Sequence, residues 1–302
     1  MDDRAIRLID IGANLTDPSF DRDRLAVLDR AKAAGVVGIV ATGADLDGSR
    51  KALALAGRHE GFVFGTAGIH PHHARNADDA AIAGLRALAE EPAIVAIGEC
   101  GLDFYRDLSP RPDQERCFEA QIELASETGL PLFVHDREAA SRVLPLIAKR
   151  RDALAGVVVH CFTGCERELR AYLDLGCHIG ITGWICDERR GSELRRIAGF
   201  VPLDHLMLET DAPYLIPGTI SPKPRTRRNE PSFLPWVLAE VARCSGRAPE
   251  EVARATTENA QRFFGLTRAS RRLDAAEEPA RRLGAGGHLR RSRREPRDRP
   301  PE

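Results

Sequence analysis

The feature that most constrains the fold is a regular alternation of short apolar runs with longer amphipathic segments. The apolar runs begin near positions 6, 36, 62, 94, 132, 157, 178 and 206, and each is followed by a stretch with helical periodicity. Continuous apolar strands separated by helices are typical of a parallel sheet that is covered on its outer face. Eight such units in about 260 residues predict an α/β chain folded as a (β/α)8 TIM barrel. A doubly wound open sheet is the alternative, but it would not bring the ends of strands 4, 5, 6 and 8 to one point.

The segment after residue 266 differs from the rest of the chain. Residues 267–302 are rich in Arg, Pro, Gly and Ala, and they carry eleven Arg against six Asp and Glu. A segment with so few large apolar residues cannot bury enough surface to fold, so we expect a disordered tail. We therefore expect a barrel domain over residues 1–266 and an Arg/Pro-rich tail over residues 267–302.

Composition argues against several other classes of protein. No apolar run approaches the roughly 18 residues of a membrane-spanning helix, and we expect no signal peptide because the first residues are polar. The seven cysteines are odd in number and contain no Cys-x-x-Cys pair, which favours reduced thiols over a disulfide framework. We expect a cytoplasmic, monomeric protein that does not bind membranes.

Four ionisable side chains follow predicted strands directly: Glu99, His135, His160 and Asp211. All carboxyl ends of the strands in a barrel lie on one rim, where the active sites of such barrels are found. Two imidazoles and two carboxylates are reasonable ligands for one or two divalent metal ions, and a metal ion lowers the pKa of a bound water towards neutrality. We predict that all four residues bind metal and that Glu99 and Asp211 also take part in catalysis. Asp211 would ligate the metal, orient the water or accept its proton.

Other polar side chains near this rim allow two interpretations. His70 ends the third strand and is expected to act in catalysis, by assisting a leaving group or contacting phosphate, although a packing role for its turn is the alternative. Asp103 would orient a ligand or a water, or else cap its turn. His72 and His73 are expected on the surface. Three further histidines are interpreted as structural: His59, His178 and His205.

A proline-stiffened basic loop over residues 221–231 follows the eighth strand. Loops after strands 7 and 8 of these barrels often bind phosphate, so Lys223 and Arg228 are candidates for substrate contact, with a solvated charged loop as the alternative. Aromatic side chains beside the rim would stack on bases or pack in the wall of the barrel. They are Phe162, Trp184 and Tyr214.

Several sequence motifs resemble those of the TatD family of metal-dependent deoxyribonucleases. The match runs from about residue 8 to about residue 265. Its motifs are DIGANL (10–15), AGIHPH (67–72), AIGECGLD (96–103), HCFTG (160–164), GITGWICDERR (180–190), ETDAPYL (209–215) and RRNEP (227–231).

This resemblance implies a barrel of the amidohydrolase type. It also implies a magnesium-dependent, cytoplasmic 3′–5′ exonuclease that acts on single-stranded DNA and on RNA and is linked to DNA repair. The metal ligands of the family correspond to Glu99, His135, His160 and Asp211. Many relatives carry a His-x-His pair where this chain has Gly12 and Asn14, which removes two ligands.

Three points remain open from the sequence. Asn14 is expected to contact the substrate, because it stands where relatives place a ligand. Imidazole ligands favour zinc or manganese whereas magnesium prefers oxygen ligands, so we expect Mg²⁺ with Mn²⁺ as a substitute, as one ion or two. The alternative functions are a metal-dependent hydrolase of a non-nucleic-acid ester or amide, such as an aminoacyl ester, and a binding barrel without catalysis.

Overall fold

The structure is a computed structural model that describes residues 6–266. Its eight strands form one parallel sheet in which strands adjacent in sequence are also adjacent in space. Each strand is mostly buried, as expected when helices cover one face and the barrel interior covers the other. The strands are β1 (Leu8–Ala13), β2 (Val36–Ala41), β3 (Val63–Ala67), β4 (Ile94–Asp103), β5 (Leu132–Arg137), β6 (Val157–Val159), β7 (His178–Ile181) and β8 (Leu206–Leu208).

The first and last strands meet and close the sheet into a barrel. Ala13 forms a parallel bridge with Ala212, and the Asn14 amide donates to the Ala212 carbonyl over 2.7 Å. The Asp211 amide donates to the Gly12 carbonyl over 2.8 Å. This closure confirms the predicted barrel and rules out the doubly wound alternative, whose edge strands would not pair.

Helices follow the strands and cover the outside of the barrel. Local capping interactions set where these helices begin and end. The Asp45 side chain accepts a hydrogen bond from the Gly48 amide at the start of α2. Gly129, with a φ of 69°, ends α4. The helices are α1 (Arg24–Ala33), α2 (Leu46–Arg58), α3 (Asp79–Ala89), α4 (Arg111–Thr128), α5 (Ala140–Arg150), α6 (Glu166–Asp174), α7 (Ser192–Ile197), α8 (Leu234–Ser245) and α9 (Pro249–Phe263). No helix within residues 6–266 is both long and apolar enough to cross a membrane.

The core has two layers, one on each face of the sheet. The larger layer lies between the strands and the helices. The smaller layer fills the inside of the barrel with alternate residues such as Ile9 and Ile11 of β1, and Phe264 and Leu266 also belong to it. The barrel is therefore packed with side chains rather than open as a pore.

Every strand begins within two residues of its predicted position, but β4 and β5 end later than the sequence predicts. β4 continues to Asp103 and β5 continues to Arg137, so Glu99 and His135 lie inside strands rather than after them. The sequence also predicts that the first helix runs from Phe20 to Ala34. In the structure a short 3-10 helix, Pro18–Phe20, comes first and α1 begins at Arg24, because Asp23 takes a non-helical conformation. The predicted tail, residues 267–302, lies outside the described residues.

Candidate metal centre and active site

Glu99 is the centre of a cluster of side chains inside the barrel, near its carboxyl end. It belongs to β4 and is only 5% exposed, and its amide donates to the Gly43 carbonyl over 2.9 Å. The preceding residue, Gly98, has a φ of 141°, and a Cβ there would lie 2.3 Å from the Phe133 carbonyl oxygen. Only glycine allows this approach of β4 to β5, which sets the position of the Glu99 side chain.

One oxygen of Glu99 contacts three imidazoles that come from three different parts of the barrel. Glu99 Oε1 lies 2.7 Å from His160 Nε2, 2.9 Å from His135 Nδ1 and 3.3 Å from His70 Nε2. Burial alone would raise the pKa of Glu99, but the charge of His160 and the hydrogen bonds from His135 and His160 hold this pKa well below its usual range. The carboxylate is therefore ionised at neutral pH.

The residues of this cluster fit a divalent metal ion. Ligand atoms of His70, Glu99 and His135 lie within 4.8 Å of one another. His135 Nε2 is buried and makes no hydrogen bond, and it lies 3.5 Å from Asp103 Oδ2. An unsatisfied buried nitrogen is costly, and a metal ion would satisfy it. Burial also lowers the pKa of His70 to about 4, so its imidazole is neutral at pH 7.

Asp211 follows β8 and faces the same cavity. Its Oδ1 accepts a hydrogen bond of 3.0 Å from Asn14 Nδ2, and its φ of 55° is unusual for a residue other than glycine. Desolvation raises the pKa of Asp211 to about 7. The cavity has a volume of about 530 Å³, within the range of small-molecule sites. Its lining includes Asn14, His70, Glu99, His135, His160 and Asp211.

Glu209 is a functional candidate that the sequence analysis missed. It is fully buried, its Oε2 lies 3.3 Å from His160 Nδ1, and its Oε1 accepts a 2.5 Å hydrogen bond from the Cys161 amide. Burial alone would lower the pKa of His160, but Glu99 and Glu209 raise it well above its usual value. A Cβ at Gly12 would lie 2.4 Å from Glu209 Oε2, so glycine at position 12 makes room for this carboxylate. The sequence did indicate a site residue here, because Glu209 directly follows a buried strand.

His72 corrects a second expectation, because it lies at the cavity rather than on the surface. Its Nε2 is 2.7 Å from Asp103 Oδ2, and both residues line the cavity. Asp103 also accepts from the amides of Tyr105 and Arg106, so it caps its turn and contacts the site at once. Burial alone would raise the pKa of Asp103, but the nearby His135 and a hydrogen bond from His72 lower it. His73 is exposed at the edge of the cavity.

The two basic candidates of the loop after β8 do not line this cavity. Arg228 donates two hydrogen bonds to Asp23, of 2.8 and 2.7 Å, and its guanidinium lies over the Phe20 ring. Lys223 Nζ donates to the Gly218 carbonyl. The structure therefore gives Arg228 an acidic partner within the fold, which favours the alternative of a charged loop, and the substrate contacts of Lys223 and Arg228 stay predictions.

The aromatic candidates have different surroundings. Phe162 is 2% exposed and packs edge-on against Tyr172. It therefore packs in the wall of the barrel, which was the alternative to stacking on bases. Trp184 is half-buried beside a second, smaller cavity, and Tyr214 is 55% exposed and lines the main cavity.

The remaining histidines lie elsewhere in the fold. His59 is the C-terminal cap of α2. The ring of His178 stacks on that of His205 with centroids 5.1 Å apart. Both arrangements agree with the structural interpretation.

A closed parallel barrel that gathers imidazoles and carboxylates in a cavity near its carboxyl end defines a hydrolase of the amidohydrolase type. The model of the family described as TatD related DNase matches residues 9–265. A protein of Rahnella sp. (strain Y9602), named "3′-5′ ssDNA/RNA exonuclease TatD", is 49% identical over 260 residues, which cover 86% of this chain and 99% of the relative. The chain belongs to the TatD family.

Solved structures agree with this assignment. The crystal structure of a TatD homologue from Escherichia coli k12 superposes with a TM-score of 0.79 and 28% identity, over 86% of this chain and 99% of the homologue. An uncharacterised amidohydrolase from Saccharomyces cerevisiae superposes with a TM-score of 0.75 and 20% identity, over 86% of this chain and 100% of the other. The second comparison shows the barrel fold alone.

Proposed function

We propose that this protein is a metal-dependent 3′–5′ exonuclease that hydrolyses phosphodiester bonds of single-stranded DNA and RNA. The observation that carries the proposal is the Glu99 cluster, in which three imidazoles converge on one carboxylate oxygen inside the main cavity. The names of relatives that are 49% identical support the substrate and the polarity of cleavage. We also propose that the enzyme is monomeric and, from the resemblance to the family, that it is cytoplasmic and has a role in DNA repair.

The proposed metal ligands are Glu99, His135, His160 and Asp211, and the geometry makes His70 a further candidate. When bound, a divalent ion, Mg²⁺ with Mn²⁺ as a substitute, stabilises negative charge on the phosphate and makes a water molecule more acidic. These ligands come from separate strands of a packed barrel, so the cavity needs little rearrangement to hold the phosphate.

Asp211 is the proposed group that orients the attacking water and accepts its proton. Its pKa of about 7 suits proton transfer near neutral pH, and Asn14 fixes the direction of its carboxylate. We propose that Asn14 contacts the substrate from the same position. His70, uncharged at neutral pH, is the proposed contact to the phosphate or the leaving oxygen.

The test is cleavage of a 5′-labelled single-stranded oligonucleotide with Mg²⁺ or Mn²⁺. The wild type is expected to shorten the strand from its 3′ end, and EDTA is expected to stop the reaction. Glu99→Gln removes the charge at the centre of the cluster and should lower the rate at least about 100-fold. Glu115→Gln is the matched control, because Glu115 pairs with Arg142 on the outer surface.

One result would contradict the proposal outright. If folded, metal-loaded wild type leaves single-stranded DNA and RNA intact, the nuclease function is wrong. A panel of small esters and amides would then test the alternative hydrolase.

A further inference from the structure

Two arginines line the main cavity, and neither has an acidic partner among the described residues. Arg106 and Arg137 both contribute to its wall. Within residues 6–266 neither guanidinium forms an ion pair or a hydrogen bond, whereas the nearby Arg111 pairs with Asp107 over 2.6 Å. Arginine presents five donors that match a phosphate well, so these two groups are available to a polyanionic ligand.

Arg137 is the better positioned of the two arginines. Its guanidinium lies 4.9 Å from the centre of the Tyr105 ring and 5.0 Å from that of the Trp184 ring. Contact with two aromatic rings holds the guanidinium in place, and its hydrogen-bond donors are not occupied by a carboxylate. Arg137 is half-buried, whereas Arg106 is exposed.

The register of β5 places Arg137 next to the metal centre. His135 and Arg137 are two residues apart on one strand, so their side chains leave the same face about 6.6 Å apart. The intervening Asp136 points the other way, where its Oδ2 accepts a 2.5 Å hydrogen bond from Tyr172. The spacing of His135 and Arg137 is comparable to that of neighbouring phosphates along an extended nucleic-acid strand.

A second cavity continues from Arg137. It has a volume of about 240 Å³, and Arg137 lines both cavities. Trp184 and Phe162 contribute to its wall together with Asp136, Glu138 and Glu168. These carboxylates disfavour a phosphate inside the second cavity, whereas a base with its amino groups is compatible with them. A nucleic-acid strand that runs from the metal centre towards the second cavity therefore places a phosphate at Arg137 before it reaches that cavity.

We propose that Arg137, held by Tyr105 and Trp184, binds the backbone phosphate on the 5′ side of the cleaved bond. This inference rests on the proposed exonuclease function, in which the 3′-terminal nucleotide occupies the main cavity. Arg137 is then a substrate-binding residue that recognises a polynucleotide as distinct from a substrate with a single phosphodiester.

The experiment compares two substrates that differ by this one phosphate. The dinucleotide dTpdT contains only the cleaved phosphodiester, and the trinucleotide dTpdTpdT adds the phosphate on its 5′ side. For the wild type we expect the initial kcat/KM of the trinucleotide to exceed that of the dinucleotide at least about tenfold, the equivalent of about 1.4 kcal/mol. In Arg137→Gln this ratio should fall close to one.

Arg190→Gln is the matched control. Arg190 also lies over the Trp184 ring, at 4.3 Å, but it pairs with Asp187 and lines neither cavity, so its ratio should match the wild type. Salt dependence gives a second readout. The slope of log kcat/KM against log salt concentration on a longer oligonucleotide should weaken by about 0.7 in Arg137→Gln, as for one lost phosphate contact on a single strand.

Each other outcome overturns the inference. A wild-type ratio near one, or a high ratio that persists in folded Arg137→Gln, would show that Arg137 does not bind this phosphate. If the wild type cleaves neither substrate nor longer strands, the proposed function fails and the inference falls with it.

Discussion

Within the candidate metal centre, buried charged side chains hold one another in position. His160 is held on both sides, by Glu99 at Nε2 and by Glu209 at Nδ1. A carboxylate on the far nitrogen of a ligating imidazole fixes its tautomer and its orientation. Glu209 is itself held by the Cys161 amide, so its carboxylate cannot rotate away without losing that hydrogen bond.

We predict that Glu209→Gln lowers kcat/KM on single-stranded DNA by about 10- to 100-fold, the usual cost of losing such a partner. The amide keeps the shape of the side chain but loses the negative charge that orients His160. Steady-state kinetics over a range of metal concentrations check the prediction, with Glu240→Gln, which pairs with Arg243, as the control. Unchanged kinetics at every metal concentration would show that Glu209 has only a packing role.

Whether a residue of this site could be predicted from the sequence depends on the element that carries it to the cavity. Glu99, His135, His160 and Asp211 could be predicted because each lies at or near the end of an apolar strand, and a barrel brings such ends together. His72 could not, because it belongs to a 3-10 helix after β3, and its contact with Asp103 at the cavity follows no sequence periodicity.

At the scale of elements, the loop after β8 is tied to α1 by ion pairs. Arg228 contacts Asp23 just before α1, and Glu230 contacts Arg30 within α1 over 2.6 Å. From the sequence, Lys223 and Arg228 are phosphate candidates because loops after strands 7 and 8 of such barrels often bind phosphate, with a solvated charged loop as the alternative. The partners of Arg228 and Glu230 lie about 200 positions away, and only the closed barrel brings the two segments together.

We predict that Arg228→Ala destabilises the fold by about 1 kcal/mol, the upper end for partly exposed ion pairs, and leaves the KM for oligonucleotides unchanged. Urea unfolding and steady-state kinetics measure the two effects. A large rise in KM with unchanged stability would restore Arg228 as a substrate contact.

The same ion pair predicts a dependence of stability on pH. Hydrogen bonds from Arg228 lower the pKa of Asp23 to about 2. A carboxyl with a depressed pKa in the folded state stabilises the fold above its unfolded pKa of about 3.9, and this contribution is lost as the pH falls towards 2. Asp23→Asn should therefore reduce the free energy of unfolding by about 1 kcal/mol at pH 7, and the difference from the wild type should shrink below about pH 4. A difference that stays constant down to pH 2 would show that Asp23 acts without its charge.

The end of a strand could be predicted where the burial of its apolar side chains alone decides it. β6, β7 and β8 end where their apolar runs end. β4 and β5 continue past theirs because they pair with each other through Asp103 and Arg137, and such pairing depends on a neighbour that the local sequence does not specify.

At the scale of the whole molecule, the centre joins strands that are far apart in the chain. His70 follows β3, Glu99 and His135 belong to β4 and β5, His160 follows β6 and Asp211 follows β8. The unfolded chain does not hold these ligands together, so a metal ion binds the folded barrel and stabilises it by mass action.

We predict that the apo protein gains about 2.7 kcal/mol when free Mn²⁺ reaches about 100 times its Kd, which corresponds to a rise in Tm of about 5–11 °C for a domain of this size. Mn²⁺ should reach the same stabilisation at a lower concentration than Mg²⁺, because imidazole nitrogens are better ligands for manganese. Differential scanning calorimetry of EDTA-treated protein with each added metal measures both effects. Glu99→Gln removes the carboxylate that contacts three imidazoles, so its Tm should respond only weakly. An equal rise in Glu99→Gln would place the stabilising ion elsewhere in the protein and would separate metal binding from the Glu99 cluster.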